Sequence, residues 1–105
     1  MAEEKYKVVE PNCGLKITDV KVYPFNNLKD HPYARAVAQV ILNDGILLRG
    51  LKVMEGLEGM FIGYPPDPYY KGEDYRASIT PIRKDVREYI EAVVLNEYEA
   101  VKDKV

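Results

Sequence analysis

Three cations lie close together near the start of the last periodic segment of the chain. In the stretch TPIRKDVREYI, residues 80–90, they are Arg83, Lys84 and Arg87. A helix N-terminus carries a partial positive charge and is stabilised by anions, so cations in its first two turns forgo that stabilisation. Free N–H groups and cationic side chains that face the same way suit a phosphate. The cluster therefore predicts a phosphate contact; the alternative is a solvated face with i,i+4 pairs to Glu88 and Glu91.

Two further cations lie in a loop rich in proline and tyrosine. Lys71 and Arg76 alternate with tyrosines in the stretch PPDPYYKGEDYR. Aromatic rings interleaved with cations can stack bases and neutralise phosphates. The same pattern also fits rings that pack the loop onto a sheet while the cations stay in water. Lys71 and Arg76 join Arg83, Lys84 and Arg87 as candidate nucleic-acid-binding residues.

Motifs for covalent or metal chemistry are missing from the sequence. Cys13 is the only cysteine and His31 the only histidine, and neither lies in a setting that would activate it. The sequence has no P-loop, nucleophile elbow, dinucleotide fingerprint or His–Cys metal cluster. Glu73 and Asp74 fall in a loop, which is a poor place to raise a carboxyl pKa by burial. We therefore predict a protein that is not an enzyme, with no cofactor, no metal and no small-molecule substrate.

Charge and composition limit the partners. The chain has 105 residues, which predicts one domain, and its 15 Lys and Arg against 17 Asp and Glu give a formal net charge of −2. No global positive field attracts polyanions, so a nucleic-acid contact must be a local patch. The sequence has no signal peptide and no apolar run long enough for a membrane span. With its lone cysteine, it is expected in the cytoplasm, away from membranes.

The sequence pattern predicts strands in the first half of the chain, after an N-terminal segment without periodicity. Residues 1–14 show no periodicity and predict a flexible extension, whereas residues 15–105 predict a single domain. Apolar residues alternate from Leu15 to Val22 with a phase slip at Thr18-Asp19, which predicts a strand with a bulge that ends near Pro24. Residues 26–32 form a polar loop in this prediction.

A hairpin is the clearest pattern in the sequence. Two β-rich stretches flank Asn43-Asp44-Gly45, and Asp-Gly is favoured as the central pair of a type I′ turn. Five residues of the first stretch are predicted to share one face: Ala34, Ala36, Ala38, Val40 and Leu42. A second turn at residues 55–59 adds a fourth strand.

The last segment predicts a helix. Thr80 is placed as its N-cap and Pro81 in its first turn. Its apolar residues recur every three or four positions, at Ile82, Val86, Ile90, Val93, Val94 and Val101. The fold class predicted is α+β, an antiparallel β-sheet meander of four to five strands packed with a C-terminal α-helix.

Several stretches in this order resemble the SpoVG family of stage V sporulation and septation regulators. They are ITDVKV (residues 17–22), RAVAQVILND (residues 35–44), LRGLKVMEGLEGMFIGYP (residues 48–65) and VLNEY (residues 94–98). The resemblance spans nearly all of residues 15–98. It implies a small bacterial α+β protein that forms a homodimer, binds DNA or RNA, and influences septum placement, cell division and gene expression without catalysis.

The resemblance also bears on the site. In the family, the surface linked to nucleic-acid recognition includes the first part of the C-terminal helix, which corresponds here to residues 83–88. The chain departs from the family where a basic pair and a serine commonly follow the fourth strand, since Pro66, Asp67 and Pro68 stand there. The alternative function is a protein–protein interaction module of a cell-division or regulatory pathway. That module would recruit a protein partner through a strand edge or the tyrosine-rich loop, without direct nucleic-acid binding.

Overall fold

A computed structural model describes residues 5–25, 33–73 and 76–102. It contains four strands and one helix: β1 (Ile17–Pro24), β2 (Ala34–Leu42), β3 (Ile46–Gly56), β4 (Gly59–Gly63) and α1 (Lys84–Val101). The strands form one antiparallel sheet in the order β1-β2-β3-β4, and α1 packs on one face of it. This arrangement confirms the predicted α+β fold with a meander and a C-terminal helix. His31, the predicted loop at residues 26–32, Asp74 and Tyr75 lie outside the described residues.

The bulge predicted in the first strand is confirmed. The pairing of β1 with β2 shifts register between Ile17 and Asp19, and the strand ends at Pro24 as expected. Thr18 Oγ1 accepts the N–H of Asp44 at 3.0 Å and donates to the carbonyl of Ile41 at 3.2 Å. The side chain at the bulge thus bonds to the neighbouring hairpin.

The β2–β3 turn is present, but its central pair lies one residue earlier than predicted. Asn43 (φ 50°) and Asp44 (φ 55°) have the positive φ values of a type I′ turn, and the Gly45 N–H donates to the Leu42 carbonyl at 2.9 Å. Asn43 is fixed from both sides by Lys16: its Oδ1 accepts the Lys16 N–H at 2.7 Å, and its own N–H donates to the Lys16 carbonyl at 2.8 Å. These contacts place Asn43, which tolerates this conformation, where the prediction placed Asp44.

A second bulge, which the sequence pattern did not predict, lies in β3. The register with β2 shifts between Ala38 and Val40, opposite Gly50. Gly50 has φ +85°, and a Cβ built there would lie 3.1 Å from Cβ of Pro65. Glycine is therefore required both by the backbone conformation and by the close approach of the chain that leaves β4.

The core lies between the sheet and α1. Ala36, Ala38 and Val40 are buried on the helix side of β2, as predicted, and Leu42 packs against them. A register shift between Ala34 and Ala36 interrupts the predicted alternation, so Ala34 stands outside this set. The largest fully buried side chains are Leu51, Val40, Val53 and Val94.

The helix begins later than the sequence predicted. α1 starts at Lys84 with Arg83 as its N-cap, so Thr80 is not the cap and Pro81 is not in the first turn. Ile82 is 95% exposed and belongs to neither the helix nor the core. Asp85 lies in the first turn and supplies the anion that a helix N-terminus favours, which stabilises a start at Lys84.

The described part of the N-terminal segment contacts the helix. The Tyr6 N–H donates to Asn96 Oδ1 at 2.9 Å, and Asn96 Nδ2 donates to the Tyr6 carbonyl at 2.8 Å. Pro11 is buried, and Tyr6 packs against the core. The flexibility of residues 1–14 stays a prediction.

Candidate nucleic-acid interface

Arg83, the first predicted site residue, is held by neighbouring side chains. Its Nε and Nη2 donate to the two carboxylate oxygens of Asp85 at 3.0 and 2.7 Å, and Nη2 also donates to Asn12 Oδ1 at 2.9 Å. The hydrogen bonds between Arg83 and Asp85 raise the pKa of Arg83 and lower the pKa of Asp85. The bidentate pair places opposite charge beside the first cation of the cluster, so Arg83 meets a carboxylate within its own turn.

Lys84 and Arg87 differ in their surroundings. Lys84 Nζ lies 3.6 Å from a carboxylate oxygen of Glu88, and both side chains are exposed, which is the i,i+4 pair of the solvated-face alternative. Arg87 instead extends toward β4, where its charge lowers the pKa of Tyr64 and of Glu91 against the opposing effect of burial. Arg87 therefore has different neighbours from the two cations that precede it.

The proline- and tyrosine-rich loop is closed at its base. Pro66 and Ala77 form an antiparallel bridge, and the Asp67 N–H donates to the Arg76 carbonyl at 2.8 Å. Arg76 Nη2 lies 3.0 Å from Asp67 Oδ2, and its guanidinium stands 5.1 Å from the centre of the Tyr70 ring. Arg76 is thus held by a carboxylate and by a ring.

Two other described residues of this loop face solvent. Lys71 is exposed, and the Tyr69 ring is 87% exposed. The Tyr69 N–H donates to Asp67 Oδ1 at 2.9 Å, so the same carboxylate that holds Arg76 also fixes the turn. Of the five predicted site residues, Lys71 and Lys84 are the ones most open to a ligand in solution.

A groove of about 620 Å³ lies along β4 and joins the sheet to the helix. We call it the β4 groove. Its polar and aromatic lining consists of Lys52 from β3, Phe61 from β4, Arg87 from α1, and Tyr64 and Thr80 from the segment between β4 and α1. Apolar residues such as Met54, Pro66 and Pro81 complete the lining. Its lining includes two cations and no carboxylate, although the whole chain carries a net charge of −2. An anionic ligand with an aromatic or apolar part fits that combination.

Tyr64 forms the inner wall of the β4 groove. It packs against the core, and burial raises the pKa of its phenol to about 12, with the charge of Glu91 adding to that rise and Arg87 opposing it. Burial likewise raises the pKa of Glu91. The neutral phenol and the guanidinium of Arg87 therefore border one groove.

The sequence reasoning missed Lys52, Phe61 and Tyr64 as site residues. Lys52 pairs across the sheet with Gly63, whose missing side chain leaves the space of the groove open beside β4. The signal available was the alternation in β3, where exposed Lys52 stands between buried Leu51 and Val53. Without the register of β4, that lysine could not be placed next to Arg87.

Other kinds of site find no support in the described residues. No helix within residues 5–25, 33–73 and 76–102 is long and apolar enough to cross a membrane. Within the same ranges, no group of three or more His, Cys, Asp or Glu side chains could hold a metal ion. Cys13 is exposed there and forms no disulfide.

Comparison with known proteins identifies relatives across most of the chain. A SpoVG protein of Caldanaerobacter subterraneus subsp. tengcongensis is 34% identical over 89 residues, which cover 85% of this chain and 93% of that protein. One from Finegoldia magna is 36% identical over 80% of this chain and 74% of its own length. One from Myxococcus xanthus is 34% identical, with 81% of each chain covered. Their names refer to septation.

The family comparison agrees with these relatives. A family model described as SpoVG matches residues 15–100, which contain all four strands and nearly all of α1. The match begins where the predicted N-terminal extension ends, and it includes the residues of the β4 groove. This chain belongs to the SpoVG family.

Proposed function

We propose that this protein is a non-enzymatic regulator in the cytoplasm that binds DNA or RNA as a homodimer and acts in septation and gene expression. The septation role is supported by the names of relatives that match most of the chain. Nucleic-acid binding is supported by the chemistry of the β4 groove. The protein-interaction module is the alternative, in which partner binding would be insensitive to salt.

One observation carries the nucleic-acid proposal. The β4 groove combines Lys52 and Arg87 with the rings of Phe61 and Tyr64 and has no carboxylate in its lining. Lysine and arginine contact phosphates, and aromatic rings stack on bases or pack against sugars. In a chain with a net charge of −2, this local concentration of cations is the kind of patch that a nucleic acid requires.

The five cations predicted from the sequence have graded roles in this proposal. Arg87 contacts a phosphate inside the groove. Lys71 and Lys84 are exposed and add phosphate contacts on either side of it. Arg76 and Arg83 are each engaged by a carboxylate, so they contribute less to binding. Both arginines are close in sequence to residues that line the β4 groove: Arg76 precedes Ala77, and Arg83 follows Pro81 by two positions.

Dimerisation is proposed from the open sheet. Within the described part of the chain, β1 and β4 each have a strand neighbour on one side only, so each leaves a row of backbone N–H and carbonyl groups without a strand partner there. Pairing of edge strands across a two-fold axis satisfies such groups and doubles every phosphate contact. A dimer would therefore present two β4 grooves to one nucleic acid.

Fluorescence anisotropy of labelled single-stranded and duplex DNA and RNA, repeated from about 50 to 200 mM salt, tests the proposal. Binding should weaken with rising salt, with a log–log slope of about −0.7 per phosphate contact on a single strand and about −0.9 on a duplex. Absence of binding at the lowest salt and tens of micromolar protein would overturn it. In that case a pull-down for a protein partner tests the alternative.

A further inference from the structure

The sheet face opposite α1 is uncovered in the described part of the chain. Ala36, Ala38 and Val40 point to the helix, so Val37 and Gln39 between them point away from it. Cross-strand partners share a face, which places Tyr23 beside Val37, Lys21 beside Gln39, and Lys52 on the other side of Val37. We call this surface the outer face and define it by Lys21, Tyr23, Arg49, Lys52 and Phe61.

Two aromatic rings stand on the outer face, one on each edge strand. Tyr23 of β1 is 52% exposed and Phe61 of β4 is 45% exposed. Phe61 pairs with Met54, two residues along β3 from Lys52. The rings therefore flank the middle of the sheet, and each keeps about half of its surface open to a planar partner.

The charge of the outer face is opposite to that of the whole chain. Lys21 and Lys52 are exposed there, and Arg49 is exposed in the β3 bulge between buried Leu48 and Leu51. Asp19 is the one carboxylate among the described residues of this face, and it lies at the far end of β1 beside Ile41. Three cations against one carboxylate make the face complementary to a polyanion.

The spacing of rings and cations suits an extended chain. Lys21 and Tyr23 are two residues apart on one strand, or about 7 Å, and Tyr23 and Lys52 are two strands apart, or about 10 Å. A polymer that crosses the sheet meets a ring and a cation in turn. Lys52 and Phe61 also line the β4 groove, so the outer face and the groove that holds Arg87 are continuous.

We propose that the outer face binds a single-stranded nucleic acid, with unpaired bases stacked on Tyr23 and Phe61 and phosphates on Lys21, Arg49 and Lys52. Bases inside a duplex are stacked on each other and cannot reach these rings, whereas the bases of a single strand can. This assignment rests on the proposed function and names its ligand class. The strand continues from the sheet into the β4 groove and ends at Arg87.

Anisotropy with a labelled 12-nucleotide oligo(U) or oligo(dT) and a DNA duplex of equal length tests this assignment. The single strands should bind more tightly than the duplex. Tyr23→Ala should weaken single-strand binding roughly 5- to 150-fold, the range for loss of one stacked base, and Tyr23→Phe should retain it. Tyr69→Ala removes an exposed ring elsewhere and is the matched control, with affinity unchanged.

The outcomes separate this assignment from the proposed function. If neither single strands nor duplex bind, the proposed function itself fails. If the duplex binds as tightly as the single strands and Tyr23→Ala has no effect, nucleic-acid binding stands and the outer-face assignment is overturned. A Tyr23→Ala protein that turns from dimer to monomer in light scattering while its affinity is unchanged also overturns it, because a second copy would then cover the face.

Discussion

Tyr64 is the residue whose environment has the most direct consequence for pH dependence. Its phenol lies between the core and the β4 groove, and burial raises its pKa from 10.0 to about 12. Below pH 10 the phenol is neutral in both the folded and the unfolded chain. Between about pH 10 and 12 the unfolded chain ionises while the folded one does not, so stability is lost as pH rises.

Replacement of Tyr64 by phenylalanine removes that loss. We expect the free energy of unfolding of Tyr64→Phe to fall less steeply between about pH 10 and 12 than that of the native chain. Urea unfolding followed by circular dichroism across this range measures the difference. Tyr69→Phe, whose ring is 87% exposed, is the control and should follow the native profile. Equal slopes for the native chain and Tyr64→Phe would contradict the burial of the phenol.

The cations at the helix start show why residue types alone do not place a site. The sequence put Arg83, Lys84 and Arg87 into one cluster. In the structure Arg83 is engaged by Asp85 and Asn12, and Lys84 is paired loosely with Glu88, whereas Arg87 borders the groove. The sequence already showed that Asp85, two positions from Arg83, could pair with it. The extended N-cap conformation that aims Arg83 at Asp85 was not.

Among the elements, strand β3 depends on Gly50. Its φ of +85° costs an L-residue about 1–2 kcal/mol, and a Cβ there would meet Pro65 at 3.1 Å. Gly50→Ala should therefore lower the free energy of unfolding by about 1–2 kcal/mol or more. Gly45→Ala is the matched control, because a Cβ there meets only an ordinary contact at 3.6 Å. Urea denaturation of both variants measures the difference, and equal losses would contradict the role of the bulge.

The boundary of α1 gives a second prediction about an element. Ile90 is 4% exposed in the core, whereas Ile82, which the sequence placed on the same helix face, is 95% exposed. Ile90→Ala should cost about 2–5 kcal/mol of stability, the range for a buried isoleucine. Ile82→Ala should change it by no more than about 0.5 kcal/mol. Thermal and urea unfolding of the two variants measure these losses. A large loss of stability for Ile82→Ala would contradict the start at Lys84 and support the helix start predicted from the sequence, with Thr80 as N-cap.

The elements themselves were largely predictable from the sequence. Two patterns could be found from neighbouring residues alone: the alternation in β1 with its slip at Thr18-Asp19, and the three- and four-residue spacing of α1. Both elements are present in the structure. The β3 bulge at Gly50 and the break at Ala34 were not predictable, because each depends on the register of a neighbouring strand. The β4 groove depends on the same long-range information, since Lys52 and Arg87 are 35 positions apart in the chain.

For the molecule as a whole, the two open edges of the sheet predict association. Size-exclusion chromatography with light scattering at tens of micromolar should give a mass of about twice the 12.0 kDa of one chain. High salt should leave this mass unchanged, because strand pairing rests on backbone hydrogen bonds and apolar contacts rather than on surface charges. A monomer mass at every concentration tested would remove the dimer from the proposal.

The measurement that decides most is the affinity of two charge-matched double variants for one labelled single strand. Lys52→Gln/Arg87→Gln removes the two cations of the β4 groove, and Arg76→Gln/Arg83→Gln removes two arginines that carboxylates already hold. Both lower the net charge equally. The groove variant should lose roughly tenfold or more in affinity and about 1.4 in salt slope per chain, with a much smaller loss for the control. Equal losses, or a larger loss for Arg76→Gln/Arg83→Gln, would contradict a nucleic-acid site in the β4 groove.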